Sequence, residues 1–231
     1  MKNRIFAVLG SLALFASAIN AAPTTFAQFS QQDSNNGFTY SYNGTSTGTL
    51  SANYFIDFKF LVPVAAQYSG TLSAQIIVNA TSNTAASNNA TTWNETGFFG
   101  TIQILGTGAL TGVNLLTANF TGGPGGAVFQ AQSGGTSATF SASTPPATEV
   151  VFSSAVLNFP TPIITQAFAL SFSSANPAFP ATGTGANTET MSATGTFSAE
   201  PTPGVPEPAT MSLIGSAFLG LGILGYRRKK A

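Results

Sequence analysis

Large apolar side chains recur at every second position along most of this chain. In FTYSY, Phe38, Tyr40 and Tyr42 alternate with Thr39 and Ser41, and in YFIDFKF, Tyr54, Ile56, Phe58 and Phe60 share a side that Asp57 and Lys59 do not. In QAFALSF the large residues are Phe168, Leu170 and Phe172, with Ala169 and Ser171 between them. Successive side chains of an extended strand point to opposite faces, so this period marks half-buried sheet, and helical spacing is not sustained anywhere between the two terminal segments. β-branched and aromatic residues strengthen the assignment. Strands are predicted at 38–42, 54–60, 73–80, 99–105, 110–120, 127–131, 137–141, 149–159, 166–174 and 190–199, separated by Gly, Asn, Ser and Pro. The pattern predicts a single all-β domain, an antiparallel β-sandwich or jelly roll of about ten strands.

Composition narrows the chemistry. Charged residues make up 6% of the 231 residues, so the surface has to be built from hydroxyls and amides. Histidine and cysteine are both absent, which excludes disulfides, thiolate nucleophiles, Cys/His zinc sites, haem attachment and any histidine-dependent triad. Twenty phenylalanines with many Val, Ile and Leu supply the apolar area that must hold the fold unaided.

The phrases TGTLSANYF, SGTLSAQII, GTGALTGVNLL and TGTFSAE resemble one another, but their irregular spacing marks them as similar strand starts and not as repeat units. Glycine-rich TGGPGG at 121–126 and SGG at 133–135 read as hairpin loops, because no lysine follows them as it would in a phosphate-binding loop. Residues 81–94, TSNTAASNNATTWN, are expected to form a long exposed loop, and AEPTPGVP at 199–206 reads as a stiff stretch whose first part, 199–204, is the linker between domain and sorting signal.

Both ends carry topogenic signals. Lys2 and Arg4 precede an apolar stretch from Ile5 to Ile19 and then small residues, the order of a secretory signal peptide exported by the Sec machinery, with cleavage placed between Ala21 and Ala22 and Ala18 as the alternative site. A signal helix over 1–21 and a β domain over 22–198 follow from that reading. At the other end, residues 209–226 form an uncharged, glycine-bearing run followed by Arg227, Arg228, Lys229 and Lys230. The run is short for a membrane span, but snorkelling cations and local thinning extend its reach, so a transmembrane helix is predicted at 209–226. The basic tail at 227–230 places everything before it outside the cytoplasmic membrane. Pro206 and Pro208 flank Glu207 and keep the preceding chain extended.

This order of Pro206-Glu207-Pro208, apolar segment and basic tail resembles the PEP-CTERM sorting signal of Gram-negative bacteria, over residues 205–231. The resemblance implies recognition by an exosortase, a membrane-embedded processing protease. It also implies transient anchoring in the inner membrane and a final place at the cell surface or in the extracellular matrix.

With both ends removed, Lys59 faces Asp33, Asp57, Glu95, Glu149, Glu189 and Glu200, a net charge of minus five. Nucleic acid, which needs a basic footprint, is therefore not an expected partner. No cofactor or metal is expected either, since the acids are scattered and not clustered as in calcium loops. The expected role is that of a noncatalytic surface or matrix protein associated with exopolysaccharide or biofilm. An alternative is a carbohydrate-binding module in which Trp93, with Tyr40, Tyr42, Tyr54 and Tyr68, stacks on sugar rings. A remoter one is an all-β glycoside hydrolase pairing Glu95 with Glu149 or Asp57. Asn-x-Thr triplets at Asn43, Asn79, Asn89, Asn94 and Asn119 are what a Thr-rich chain produces by chance.

Overall fold

The computed structural model describes residues 24–33, 35–122, 126–143, 150–159 and 165–199. The signal peptide, the 209–226 helix, the Pro206-Glu207-Pro208 motif and the basic tail lie outside these residues, as does Glu149. Every strand in the described part is antiparallel. In chain order they are β1 (Thr24–Gln31), β2 (Phe38–Tyr42), β3 (Gly48–Phe60), β4 (Leu72–Ser82), β5 (Ser87–Asn88) and β6 (Thr92–Gly106). There follow β7 (Asn114–Phe120), β8 (Ala127–Gln132), β9 (Ala138–Ser143), β10 (Val150–Ser153), β11 (Gln166–Asn176) and β12 (Asn187–Ala199).

The twelve strands belong to one sheet, and the sheet closes on itself. Ladders run from β3 to β4, β6, β8, β9, β11 and β12, and from β12 through β1 and β2 back to β3. Several strands share one position in the ring. β1 pairs with residues 56–60 of β3 and β2 with 48–52, so they run end to end. β7 and β8 likewise divide the length of β6, β4 and β5 divide its other side, and β10 continues the line of β9 alongside β7. The result is an up-and-down barrel and not the expected two-sheet sandwich or jelly roll. Alternation is identical in both architectures; closure depends on β12 accepting β1 and β2, a pairing with no local signature. Closure leaves only the short strands β5 and β10 with a ladder on one side, and so limits the sheet edge open to aggregation.

The apolar phase of every strand points inward. Along β3 the pattern places Leu50, Ala52, Ile56, Phe58 and Phe60 inside, and along β4 Leu72, Ala74, Ile76, Val78 and Ala80. Rings fill the lumen, so it is a core and not a channel. Phe38 meets Phe29 and Phe172, Phe172 meets Phe129, and Phe129 stacks on Tyr40 with centroids 4.1 Å apart and planes within 2°. A second ring cluster, Phe26, Phe152, Phe159 and Phe197, closes the end where the barrel's chain begins and finishes. There the buried Gln166 Oε1 accepts the Phe152 amide at 2.6 Å, joining β10 to β11 where no ladder does. Apolar inside and polar outside is the reverse of a membrane-spanning barrel.

Several strand assignments change. The strand expected at 149–159 is only β10, Val150–Ser153, and residues 154–159 lie outside any strand. TTFAQFSQ forms β1, unread in the sequence because a bulge between Thr25 and Ala27 breaks its alternation. The expected exposed loop at 81–94 instead begins inside β4, contains β5, buries Ala86 and ends inside β6. Residues 108–110 turn as a short 3-10 helix before β7, so that strand starts at Asn114. β12 runs through Ala199, the first residue assigned to the linker.

Candidate functional site

Of the buried polar side chains among the described residues, Gln166 lies at the end described above, while Ser82, Glu95 and Glu189 gather at the other, where β2 finishes and β12 begins. Trp93 and Glu95 come from β6, Tyr40 and Tyr42 from β2, Asn187 and Glu189 from β12. Each buried member sits on the inward phase of its strand: Glu189 is in step with Met191, Ala193 and Phe197, and Glu95 with Trp93. The backbone therefore carries two carboxyls into the core as if they were apolar. Glu189 is the register partner of Tyr40, which brings the phenol beside it.

Tyr40 is the hub. Its hydroxyl donates to Glu95 Oε2 at 2.6 Å and accepts from Trp93 Nε1 at 3.0 Å. Burial, followed by the nearby Glu95 charge, pushes the phenol far above its ordinary range. Burial also raises Glu95, against the opposing pull of the Tyr40 and Ser82 hydroxyls and the Gly48 amide. Gly48 passes so close that a Cβ there would lie 2.1 Å from Glu95 Oε2, which is why β3 begins with glycine at this point. Glu189 Oε1 accepts from Asn187 Nδ2 at 2.6 Å, and burial lifts its carboxyl from 4.5 to about 7. Three buried polar atoms have no hydrogen-bond partner among the described residues: Glu95 Oε1, Glu189 Oε2 and Asn187 Oδ1.

Trp93 is 0% exposed, with Tyr40 and Tyr42 set edge-on against it. It offers no ring face to a sugar, and neither do buried Tyr40 and Tyr42; Tyr54 and Tyr68 are only half-buried. The lone tryptophan is thus a core residue that the polar neighbours Asn94 and Glu95 disguised. Glu95 and Asp57 lie on opposite faces of the wall: Glu95 is inside, while Asp57 faces outward and accepts from Gln32 Nε2 at 3.0 Å. The structure does not bring them together as an acid/base pair. Of the Asn-x-Thr positions, Asn43 and Asn89 serve as turn formers, their Oδ1 atoms accepting backbone amides from residues 45–47 and 91–92. The Tyr40, Glu95 and Glu189 cluster was legible only as acids falling in the apolar phase of a strand.

Tyr40→Phe leaves Trp93 Nε1 without its acceptor in the core and takes the Tyr40 donor away from Glu95 Oε2. Each such loss costs about 1–3 kcal/mol, so urea unfolding is expected to show a loss of about 2–6 kcal/mol together with altered Trp93 emission. An unchanged midpoint would mean that the triad contributes nothing to the fold.

The outer wall is different in kind. Along β12 every outward residue carries a hydroxyl: Thr188, Thr190, Ser192, Thr194, Thr196 and Ser198. Neighbouring strands extend the array with Ser41 and Thr39, Ser173 and Ser171, and Ser30. Some of these hydroxyls bond one another, as Ser173 with Ser192 at 3.0 Å and Ser41 with Thr188 at 2.9 Å. An open trough of about 460 Å³ crosses this wall, lined by Gln28, Ser30, Asp57, Lys59, Ser171 and Thr194 among others.

C-terminal to the described residues, positions 204–229 match a family described as the PEP-CTERM protein-sorting motif. The chain carries a PEP-CTERM tail. The match coincides with the Pro206-Glu207-Pro208, apolar and basic segments. A PEP-CTERM tail marks an exported protein that an exosortase sorts at the membrane. No curated protein and no solved structure matches the chain.

Proposed function

We propose that the barrel is a noncatalytic surface or extracellular-matrix protein that associates with exopolysaccharide through its hydroxyl-rich outer wall. After Sec-dependent export the signal peptide leaves between Ala21 and Ala22, residues 209–226 hold the chain in the inner membrane, and the exosortase then processes it. The uninterrupted outward hydroxyl row of β12, on a protein already addressed for export, is the observation that supports this reading. Hydroxyls donate and accept without carrying charge, which suits a neutral polysaccharide of many hydroxyls. Wall and sugar then meet without desolvating ions.

The test combines mass and association. Protein recovered from the host's surface and medium is expected to have lost residues 1–21 and the segment after Pro208, and to sediment with the host's isolated exopolysaccharide independently of salt. A retained tail would contradict the processing step. Failure to sediment, or release by salt, would contradict the hydroxyl-mediated association.

A further inference from the structure

Two carboxyls inside the wall give the barrel a chemistry that its neutral exterior lacks. Glu95 and Glu189 are both 0% exposed, and the three orphaned buried atoms all belong to them or to Asn187. The titratable groups that face them are Tyr40 and Tyr42 from β2; β4 contributes Ser82, β8 contributes Phe129, and the segment after β11 contributes Phe179. Lys59, the one cation between residues 24 and 199, is exposed on the outer wall. An ionised carboxylate at this end has no countercharge, and its burial is correspondingly costly.

A strap covers the same end. Residues 177–186 join β11 to β12, and the Phe179 backbone accepts from the Gly134 amide at 3.0 Å and donates to the Gly135 carbonyl at 2.9 Å. Phe179 is 1% exposed, with its ring 6.0 Å from Tyr40 and 5.7 Å from Phe129, and Asn88 Nδ2 donates to the carbonyls of Pro180 and Gly183, each at 3.0 Å. The ring that anchors the strap therefore rests on the phenol that hydrogen-bonds Glu95.

We propose that this end of the barrel is a pH-operated latch, closed over Glu189 in its neutral form and loosened at the 177–186 strap when Glu189 ionises. A neutral carboxyl brings an O–H donor and no charge, whereas a carboxylate brings only acceptors and a charge that needs water. Opening the strap supplies that water.

The sign follows from linkage. A carboxyl raised in the closed state keeps its proton longer than it does in water, so opening becomes more favourable as pH rises from the ordinary value of 4.5 to about 7, and levels off above. One displaced proton changes the opening constant about tenfold per pH unit.

The test is amide hydrogen exchange of the full-length chain across pH 4.5–8, corrected for intrinsic exchange, with Trp93 emission followed in parallel. Protection of 177–186 is expected to fall about tenfold per pH unit up to about pH 7 and then to flatten, while β3 and β4 stay protected. Glu189→Gln is expected to flatten most of that dependence, and Asp57→Asn, an outward carboxyl, to leave it unchanged. Protection of the wild-type strap that does not vary with pH would overturn the latch whether or not the Gln variant folds. So would the same slope in Glu189→Gln, or loss of the slope in Asp57→Asn.

Discussion

Phe129→Ala is expected to lower the stability of the barrel by about 3–5 kcal/mol, the range for truncating a fully buried phenylalanine. Phe129 lies on β8, stacked on Tyr40 of β2 across the lumen and flanked by Phe98, Phe172 and Phe179 at centroid separations of 6.5, 5.9 and 5.7 Å. Those rings come from β6, from β11 and from the segment beyond it, so one side chain ties together strands far apart around the ring. A wall of ladders on every side cannot collapse to fill the hole, and the cavity adds its cost to the lost transfer free energy. At about 2–4 °C per kcal/mol for a domain of this size, the melting temperature should fall by roughly 10 °C. Urea unfolding at unchanged m-value measures the loss. Phe55→Ala, at 55% exposure on the outer wall, should stay within about 0.5 kcal/mol. Equal effects at the two sites would mean that the lumen is not the core.

Gly100→Ala is expected to be as damaging, although it adds only one methyl group. Gly100 holds φ +145° on β6, and a Cβ there would lie 2.0 Å from the Asn79 carbonyl oxygen and 2.9 Å from Ala80 Cα. Both obstacles are β4 backbone, which cannot rotate aside as a side chain would. The strand must either adopt a backbone conformation that L-residues avoid or pull away from its neighbour. The two costs together are of order 3 kcal/mol or more. Hydrogen exchange should localise the damage to the β4–β6 ladder, which Gly100 joins opposite Ala80. Gly185→Ala, where a Cβ meets nothing within 4 Å, is the matched control and should be close to neutral. A stable Gly100→Ala barrel with an intact β4–β6 seam would show that the close approach is not required.

The class of fold was legible because period two is a local property. Phe38, Tyr40 and Tyr42, or Phe168, Leu170 and Phe172, announce a strand and its buried side without reference to anything else in the chain. β1 escaped because its bulge places Phe26 and Ala27, adjacent residues, both on the buried side. The same rule held the information about the interior acids, since Glu189 falls in step with Met191 and Ala193. What it could not say is whether such an acid meets a cation, a phenol or nothing. Trp93 was misread for a related reason: its sequence neighbours are polar, while its spatial neighbours Tyr40 and Tyr42 come from 53 and 51 positions away in the chain.

The sequence by itself determined the all-β class, the uncharged hydroxyl exterior and the PEP-CTERM address, because each is written in spacing or order along the chain. Tertiary structure alone decided that the sheet closes, that Tyr40 bridges Trp93 to Glu95, and that two carboxyls share an end with no countercharge. Those depend on which strand pairs with which, above all β12 with β1 and β2. A pairing between strands some 150 residues apart is set by the summed fit of the whole wall and leaves no mark in either strand alone.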